Sequence, residues 1–245
     1  MGKTIVITGA GVGLGRALAR CFAKEGDTTI LLGRTFSKVQ AVAQELGEPH
    51  FAVECDVGDP DSVRAAFARI AERHPKIDVL INNAAIYEPF LVRDATDEQI
   101  TSIIGTNLTG TIFCCREAIP MMEKGAQIIN VSSESVREPF AMLSLYQCSK
   151  SGVERFTETL EKELEPDGIR VCVLRAAPMV DADKDMPNWD PDVAMQFFEA
   201  NLKLGRNLAE QPITQVDNVT CIFRALIDLP PDFKATHVSV GARHP

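Results

Sequence analysis

The chain has 245 residues, 45% hydrophobic and 24% charged, with a formal net charge of −9 and a pI near 5.0. That size and composition predict a globular protein with a sizeable core. The acidic balance argues against nucleic acid as a partner, because a phosphate-backbone binder needs a basic stripe that is missing here.

No apolar run approaches the roughly 18 residues that a membrane span needs, and the first residues already read as a strand rather than a signal peptide. No membrane partner is expected. The seven cysteines are odd in number and mostly sit in apolar runs, which predicts reduced thiols and a cytoplasmic location. With no C-x-x-C and with the four histidines scattered, no metal site is expected.

In chain order, KTIVIT (3–8) reads as a strand and LGRALARCFAKEG (14–26) as a helix, with Leu14, Leu18, Cys21 and Phe22 at helical spacing and a stop at Gly26. TTILLG (28–33) is the next strand. SKVQAVAQELG (37–47) is a helix capped by Ser37, and HFAVECDV (50–57) is a third strand. DPDSVRAAFARIAERH (59–74) is a helix with acids at its start and Arg73 and His74 at its end, as the macrodipole favours. IDVLINNAA (77–85) is a fourth strand.

Thr96 to about Glu123 reads as one long helix with Thr96 and Gln99 as a capping box. QIINVSS (127–133) is a strand, and a helix carrying YQCSK runs to Glu165. IRVCVLRAA (169–177), a helix from Val216 to Leu229 and a last strand THVSVGA (236–242) follow. Alternation of this kind predicts an α/β fold: a single-domain, doubly wound, mostly parallel seven-stranded sheet with helices on both faces. The domain spans 1–245, with an insertion at about 178–212.

Ligands of such sheets bind beyond the carboxyl ends of the strands. TGAGVGLGR (8–16) falls there; its glycines let the backbone approach a pyrophosphate, whose charge the helix amino end attracts. Tyr146 and Lys150 stand one helical turn apart and share a face.

The spacing T-G-x-x-x-G-x-G resembles the fingerprint of the short-chain dehydrogenase/reductase family, with Thr8, Gly9, Gly13 and Gly15 on its threonine and glycines. Asp56 and Val57 resemble its adenine-contacting pair, and Asn82-Asn83-Ala84-Ala85 resembles its N-N-A-G with alanine last. Asn107, Ser133, Tyr146 and Lys150 match its catalytic tetrad, and YQCSK its Y-x-x-x-K.

The resemblance covers essentially the full length and implies a Rossmann-like, NAD(P)-dependent oxidoreductase that interconverts a ketone or aldehyde and the corresponding alcohol. It implies Tyr146 as general acid/base, Ser133 as the hydrogen-bond partner of the reacting oxygen, and Lys150 on the nicotinamide ribose. Asn107 would hold the helix and a relaying water. The cofactor-binding set is Thr8, Gly9, Gly13, Leu14, Gly15, Arg34, Asp56, Val57, Asn83, Ala84, Ala85, Tyr146, Lys150 and Met179.

Lys150 and an oxidised nicotinamide are expected to lower the Tyr146 pKa towards neutrality. At the end of the second strand Leu32-Gly33-Arg34 offers an arginine and no carboxylate, which favours NADP(H) over NAD(H). The family's proline-glycine turn after the sixth strand is replaced by Ala176-Ala177-Pro178-Met179.

Residues 181–206 fall where the family keeps a mobile lid. Met186, Trp189, Phe197 and Phe198 could close an apolar pocket, although Phe197, Phe198 and Leu202 also fit a structural stripe. The five aspartates from 181 to 192 read as a solvated face. The resemblance further implies a homodimer or homotetramer, with Gly110, Ile112, Phe113 and Phe156 as candidates for its face or for the core. A catalytically silent nucleotide-binding regulator and an epimerase or dehydratase on the same fold remain the alternatives.

Overall fold

The computed structural model describes residues 2–182, 189–230 and 232–243. Seven strands form one parallel sheet in the order β3-β2-β1-β4-β5-β6-β9. They are β1 (Thr4–Thr8), β2 (Thr28–Gly33), β3 (Phe51–Glu54), β4 (Val79–Asn82), β5 (Gln127–Ser133), β6 (Arg170–Ala176) and β9 (His237–Val240). Strand order reverses between β1 and β4, so a crevice opens beyond their carboxyl ends.

Alternate residues of each strand feed two cores. Ile5, Ile7, Leu31, Ile81, Ile129 and Leu174 pack with α1 (Gly13–Lys24), α2 (Phe36–Leu46) and α8 (Val216–Ile227) on one face. Val6, Ile30, Leu32, Leu80, Ile128 and Val171 pack with α3 (Pro60–Arg73), α5 (Gly110–Ala118) and α6 (Ser144–Leu164) on the other. The near-continuous apolar runs of the strands follow from burial on both faces.

Several boundaries differ from the sequence expectation for local reasons. The α2 cap position is Thr35, with no side-chain hydrogen bond, so Ser37 lies inside the first turn. β4 stops at Asn82 because the N–H groups of Asn83 and Ala84 turn to the Thr8 hydroxyl, each at 3.0 Å.

The single helix expected over 96–123 is α4 (Asp97–Ile104), a π-helical turn (Gly105–Thr109), α5 and a closing 3₁₀ turn. Its amino end is the expected capping box of Thr96 and Gln99. Gly110 belongs to the core of the chain: a Cβ there would lie 2.8 Å from the Val57 carbonyl oxygen.

The insertion supplies β7 (Met179–Val180), α7 (Pro191–Lys203) and β8 (Thr214–Gln215); β7 and β8 pair as a small separate ribbon. In α7, Phe197 is buried against Met142 and Leu143, whereas Phe198 and Leu202 are exposed. The stripe therefore divides, one ring in a core and two side chains outside it.

Phe22 and Phe223 are fully buried in the cluster that α1 and α8 share. Phe223→Ala is expected to cost about 3–5 kcal/mol of unfolding free energy, read by denaturant titration. Leu202→Ala on the exposed side of α7 should stay within about 0.5 kcal/mol of wild type. Equal losses in the two variants would contradict this assignment of the core.

Candidate active site

The glycine turn joins β1 to α1 and is built by exclusion. Gly9 has φ +66°, and a Cβ there would lie 2.9 Å from the Ala84 Cα. A Cβ on Gly15 would lie 2.3 Å from the Gly9 carbonyl oxygen, so α1 sits against the turn only because position 15 is glycine. Gly13, φ +59°, has nothing within 4 Å of such an atom and faces open space.

Neighbouring strands fix this turn. The Thr8 hydroxyl accepts from Asn83 N and Ala84 N, while Asn83 Nδ2 donates to the Thr8 and Gly9 carbonyls at 3.0 and 3.3 Å. Leu14 is buried behind the turn and Ala85 is exposed in front of it. The residue before α1 is Val12, which provides no side-chain cap, so the first turn of the helix presents N–H groups to an anion from elsewhere in the chain or from a ligand, and Gly13 N–H donates to the Asp181 carboxylate. The chemistry of this donor set fits a dinucleotide diphosphate.

Beyond β2, Arg34 is exposed. A Cβ on Gly33 would lie 2.7 Å from Val39 Cγ1, so the position where an acid was sought has no room for one unless Val39 shifts. Beyond β3, Asp56 Oδ1 accepts from Gly58 N at 2.9 Å and Val57 is buried. Met179 begins β7 and packs partly on the core.

The four tetrad candidates come together at the ends of β5 and α6. Asn107 lies in the π-helical turn and is fully buried. Its Oδ1 accepts from Ile86 N at 2.7 Å, and its Nδ2 donates to the Ile86 carbonyl at 2.9 Å and to Ser149 Oγ at 3.1 Å. Ser149 Oγ in turn donates to the Tyr146 carbonyl at 2.7 Å. One amide thus ties the loop after β4 to the turn of α6 between Tyr146 and Lys150.

The buried Asn107 side chain thus enters the site from a π-helical turn, a local widening that frequently marks functional sites. Ser133 ends β5, and its Oγ accepts from Ser135 N at 3.1 Å.

Lys150 is buried, and its Nζ donates to the Val131 carbonyl at 2.8 Å. The same Nζ lies 5.9 Å from the centre of the Tyr146 ring. Burial pushes its pKa down to about 8. Burial also raises the Tyr146 phenol above its ordinary value, and the Ser133 hydroxyl beside it pulls the other way. The expectation that Lys150 lowers the phenol's pKa does not describe the protein alone: burial dominates, and the ammonium is spent on a backbone carbonyl.

Two residues that the sequence reading did not single out also reach the site. Tyr87, five residues beyond Asn82, sets its ring edge-on to Tyr146 with centroids 4.9 Å apart and tilts against Trp189 at 5.2 Å. It lines a cavity of about 560 Å³ with Phe90, Met142, Trp189 and Val193. Its neighbours Glu88, Asp94 and Asp190 put carboxylates on the same cavity. No motif marks Tyr87; its place right after the β4 turn was the available signal.

The other is Asp181, and it corrects the reading of the aspartates as a solvated face. Asp190 and Asp192 are exposed, Asp190 capping its own helix α7. Asp181 instead has a side chain only 8% exposed, accepting from Gly13 N and pairing with Arg16. Met186, Asp183 and Asp185 lie outside the described residues. Among the described residues no group of His, Cys, Asp or Glu could hold a metal ion, and no helix is long and apolar enough to cross a membrane.

The Lys150 geometry carries a measurable consequence. Its folded pKa of about 8 lies below the ordinary 10.5, so between those values the unfolded chain binds more protons and stability rises with pH. Relative to Lys150→Met, the wild type is expected to gain about 1–3 kcal/mol of unfolding free energy between pH 7 and pH 10. Denaturant titrations of both proteins at pH 7, 8.5 and 10 check this; a constant difference would mean that the ammonium is not desolvated.

The family model for short chain dehydrogenases matches residues 3–190. A 3beta-hydroxysteroid dehydrogenase of Mediterraneibacter gnavus is 36% identical over 172 residues, which cover 68% of this chain and 62% of that enzyme. The crystal structure of a short chain dehydrogenase from Burkholderia cenocepacia in complex with NADP is similar at a TM-score of 0.83 and 26% identity, over 98% of this chain and 96% of that one. A 3-ketoacyl-(acyl-carrier-protein) reductase from Brucella melitensis complexed with NADH is similar at 0.78 and 26%, over 98% and 96%. With its sheet order, glycine turn and residues 3–190 all in agreement, the chain belongs to the short-chain dehydrogenases, a family of NAD(P)-binding oxidoreductases.

Proposed function

We propose that the protein interconverts a neutral ketone or aldehyde and the corresponding alcohol, with NADP(H) as cofactor. The observation that carries this reading is the convergence of Ser133, Tyr146 and a buried Lys150 at the carboxyl end of β5, two strands from the glycine turn, with Asn107 bracing the helix that bears two of them. When bound, the dinucleotide supplies or accepts the hydride.

Thr8, Gly9, Gly13, Leu14, Gly15, Asn83, Ala84 and Ala85 would surround its diphosphate and nicotinamide side, with Asp56, Val57 and Arg34 at the adenosine end and Met179 near the carboxamide. Tyr146 moves the proton at the substrate oxygen, and the Ser133 hydroxyl orients that oxygen. Lys150 keeps its proton at neutral pH, being only about a unit below its pKa. The positive charge that would bring the phenol into range is then shared between this ammonium and an oxidised nicotinamide, because burial alone holds Tyr146 high.

NADP(H) is favoured because position 33 carries no carboxylate, room for one requiring Val39 to shift, and Arg34 is exposed beyond β2. The ring of Tyr87 and the carboxylates of Glu88, Asp94 and Asp190 favour an uncharged substrate with apolar or planar surface over an anion. Cytoplasmic residence accords with the buried free thiols Cys55, Cys114, Cys115 and Cys172. A homodimer or homotetramer would use the faces of α4–α5 and α6, where Phe113 and Phe156 are only partly buried.

Tyr146→Phe is expected to lower turnover by about 10²–10⁴ or more across a panel of ketones and aldehydes followed by NADPH absorbance. The NADPH Kd should stay within about twofold of wild type; a variant that kept wild-type rates would remove Tyr146 from the chemistry. Separately, Arg34→Ala should raise the Kd of NADPH roughly tenfold and leave that of NADH nearly unchanged. Equal effects on the two dinucleotides would sink the assignment of Arg34 to the 2′-phosphate.

A further inference from the structure

We propose that the Asp181 carboxylate is a built-in competitor for the diphosphate seat at the glycine turn, so that a dinucleotide binds only when Asp181 leaves; this rests on the cofactor reading above. The carboxylate accepts from the Gly13 N–H at 2.8 Å and from the Arg16 guanidinium at 2.8 Å. Gly13 opens α1, so its N–H stands at the positive end of the helix. It is also the glycine whose missing side chain leaves open space for a ligand. One anion already holds the place that another would need.

The contact differs from ordinary capping. Caps are normally supplied by the residue just before the helix, as Asp190 does for α7 and Asp59 for α3. At α1 that residue is Val12, with no polar atom in its side chain, and the carboxylate comes from a residue 168 positions away.

The backbone that presents Asp181 is held by the pairing of β7 with β8, Met179 with Thr214 and Val180 with Gln215. The strand ends one residue before the aspartate, so the side chain reaches the turn from a fixed base. Both partners are largely withdrawn from water, at 15% exposure for the Arg16 side chain and 8% for that of Asp181, which strengthens their attraction and the repulsion that a phosphate would meet. Once Asp181 swings away, the Gly13 N–H is released towards the incoming diphosphate.

The prediction is opposite in sign to that of a structural cap. Loss of a cap that merely shapes the turn would weaken ligand binding, whereas loss of a competitor tightens it. Titration of NADPH by calorimetry into wild type, Asp181→Asn and Asp181→Ala distinguishes the two. If the seat is open in about a tenth to a fifth of molecules, both variants are expected to bind NADPH roughly five- to tenfold more tightly.

The thermal midpoint of each variant without ligand should fall or stay level, and the upward shift on adding NADPH should exceed that of wild type. A Kd that is unchanged or raised in both variants, against a wild type that binds, would overturn the competitor. If none of the three proteins binds NADPH or NADH, the cofactor reading itself falls, and the competitor with it.

Discussion

A buried ammonium is the constraint around which this half of the molecule is built. Taking the Lys150 charge out of water is unfavourable unless a fixed acceptor receives it, and the acceptor here is a backbone carbonyl, Val131 O, at 2.8 Å. That carbonyl lies one residue past the last β4–β5 pair, Asn82 with Asn130. For the bond to persist, α6 must hold a set height and rotation over β5. Three polar ties do this: Asn107 to Ser149, Asn130 to Thr157, and Glu154 to both Ser132 and Arg175. Each joins α6 to an element at the carboxyl end of the sheet, so the helix that carries Tyr146 and Lys150 is positioned by hydrogen-bond direction as well as by apolar packing.

The glycine turn obeys a different rule. Nothing there is held by a charged side chain of its own; the shape comes from atoms that are missing. Gly9 and Gly15 let β1, β4 and α1 approach within distances that any Cβ would prevent, and the Thr8 hydroxyl converts the approach into two hydrogen bonds. The result is a rigid turn that presents N–H groups at the start of α1, one of which, Gly13 N–H, donates to Asp181. Such a site attracts whatever anion is near, and in the protein alone the nearest is Asp181.

Much of this was legible in the sequence because the signals are local. Strand and helix alternation, the spacing of Gly9, Gly13 and Gly15, the capping box at Thr96 and the three residues between Tyr146 and Lys150 all act within a few residues of themselves. What the sequence hid depends on contacts between distant segments. Asp181 looked like one more surface acid because its partners are Gly13 and Arg16, far off in the chain. Gly110 could be read as part of a subunit face or of the core, because its neighbour, Val57, is far off in the chain.

The π-helical turn at Gly105–Thr109 was hidden for another reason: no residue type marks the place where the helical hydrogen bonding widens by one residue. The desolvation of Tyr146 and Lys150 was not legible either, because sequence spacing reports proximity and says nothing of burial, which raises the phenol and lowers the ammonium in the protein alone.

These parts imply a division of labour across the switch point between β1 and β4. On the β1–β2–β3 side the chain offers backbone N–H groups and Arg34; on the β4–β5–β6 side it offers the Ser133 and Tyr146 hydroxyls and the Lys150 ammonium. Tyr87 and Asp181 cross that division from opposite directions. Tyr87 leaves the end of β4 to rest against Tyr146 and Trp189, so the wall of the cavity and the proposed proton donor share one aromatic cluster. Asp181 leaves the end of β7 to sit on the glycine turn. The ligand that displaces Asp181 would also be the one that brings a positive nicotinamide towards Tyr146, and a phenol raised by burial needs that charge to titrate usefully. Vacating the anion seat and readying the phenol are then consequences of the same binding event.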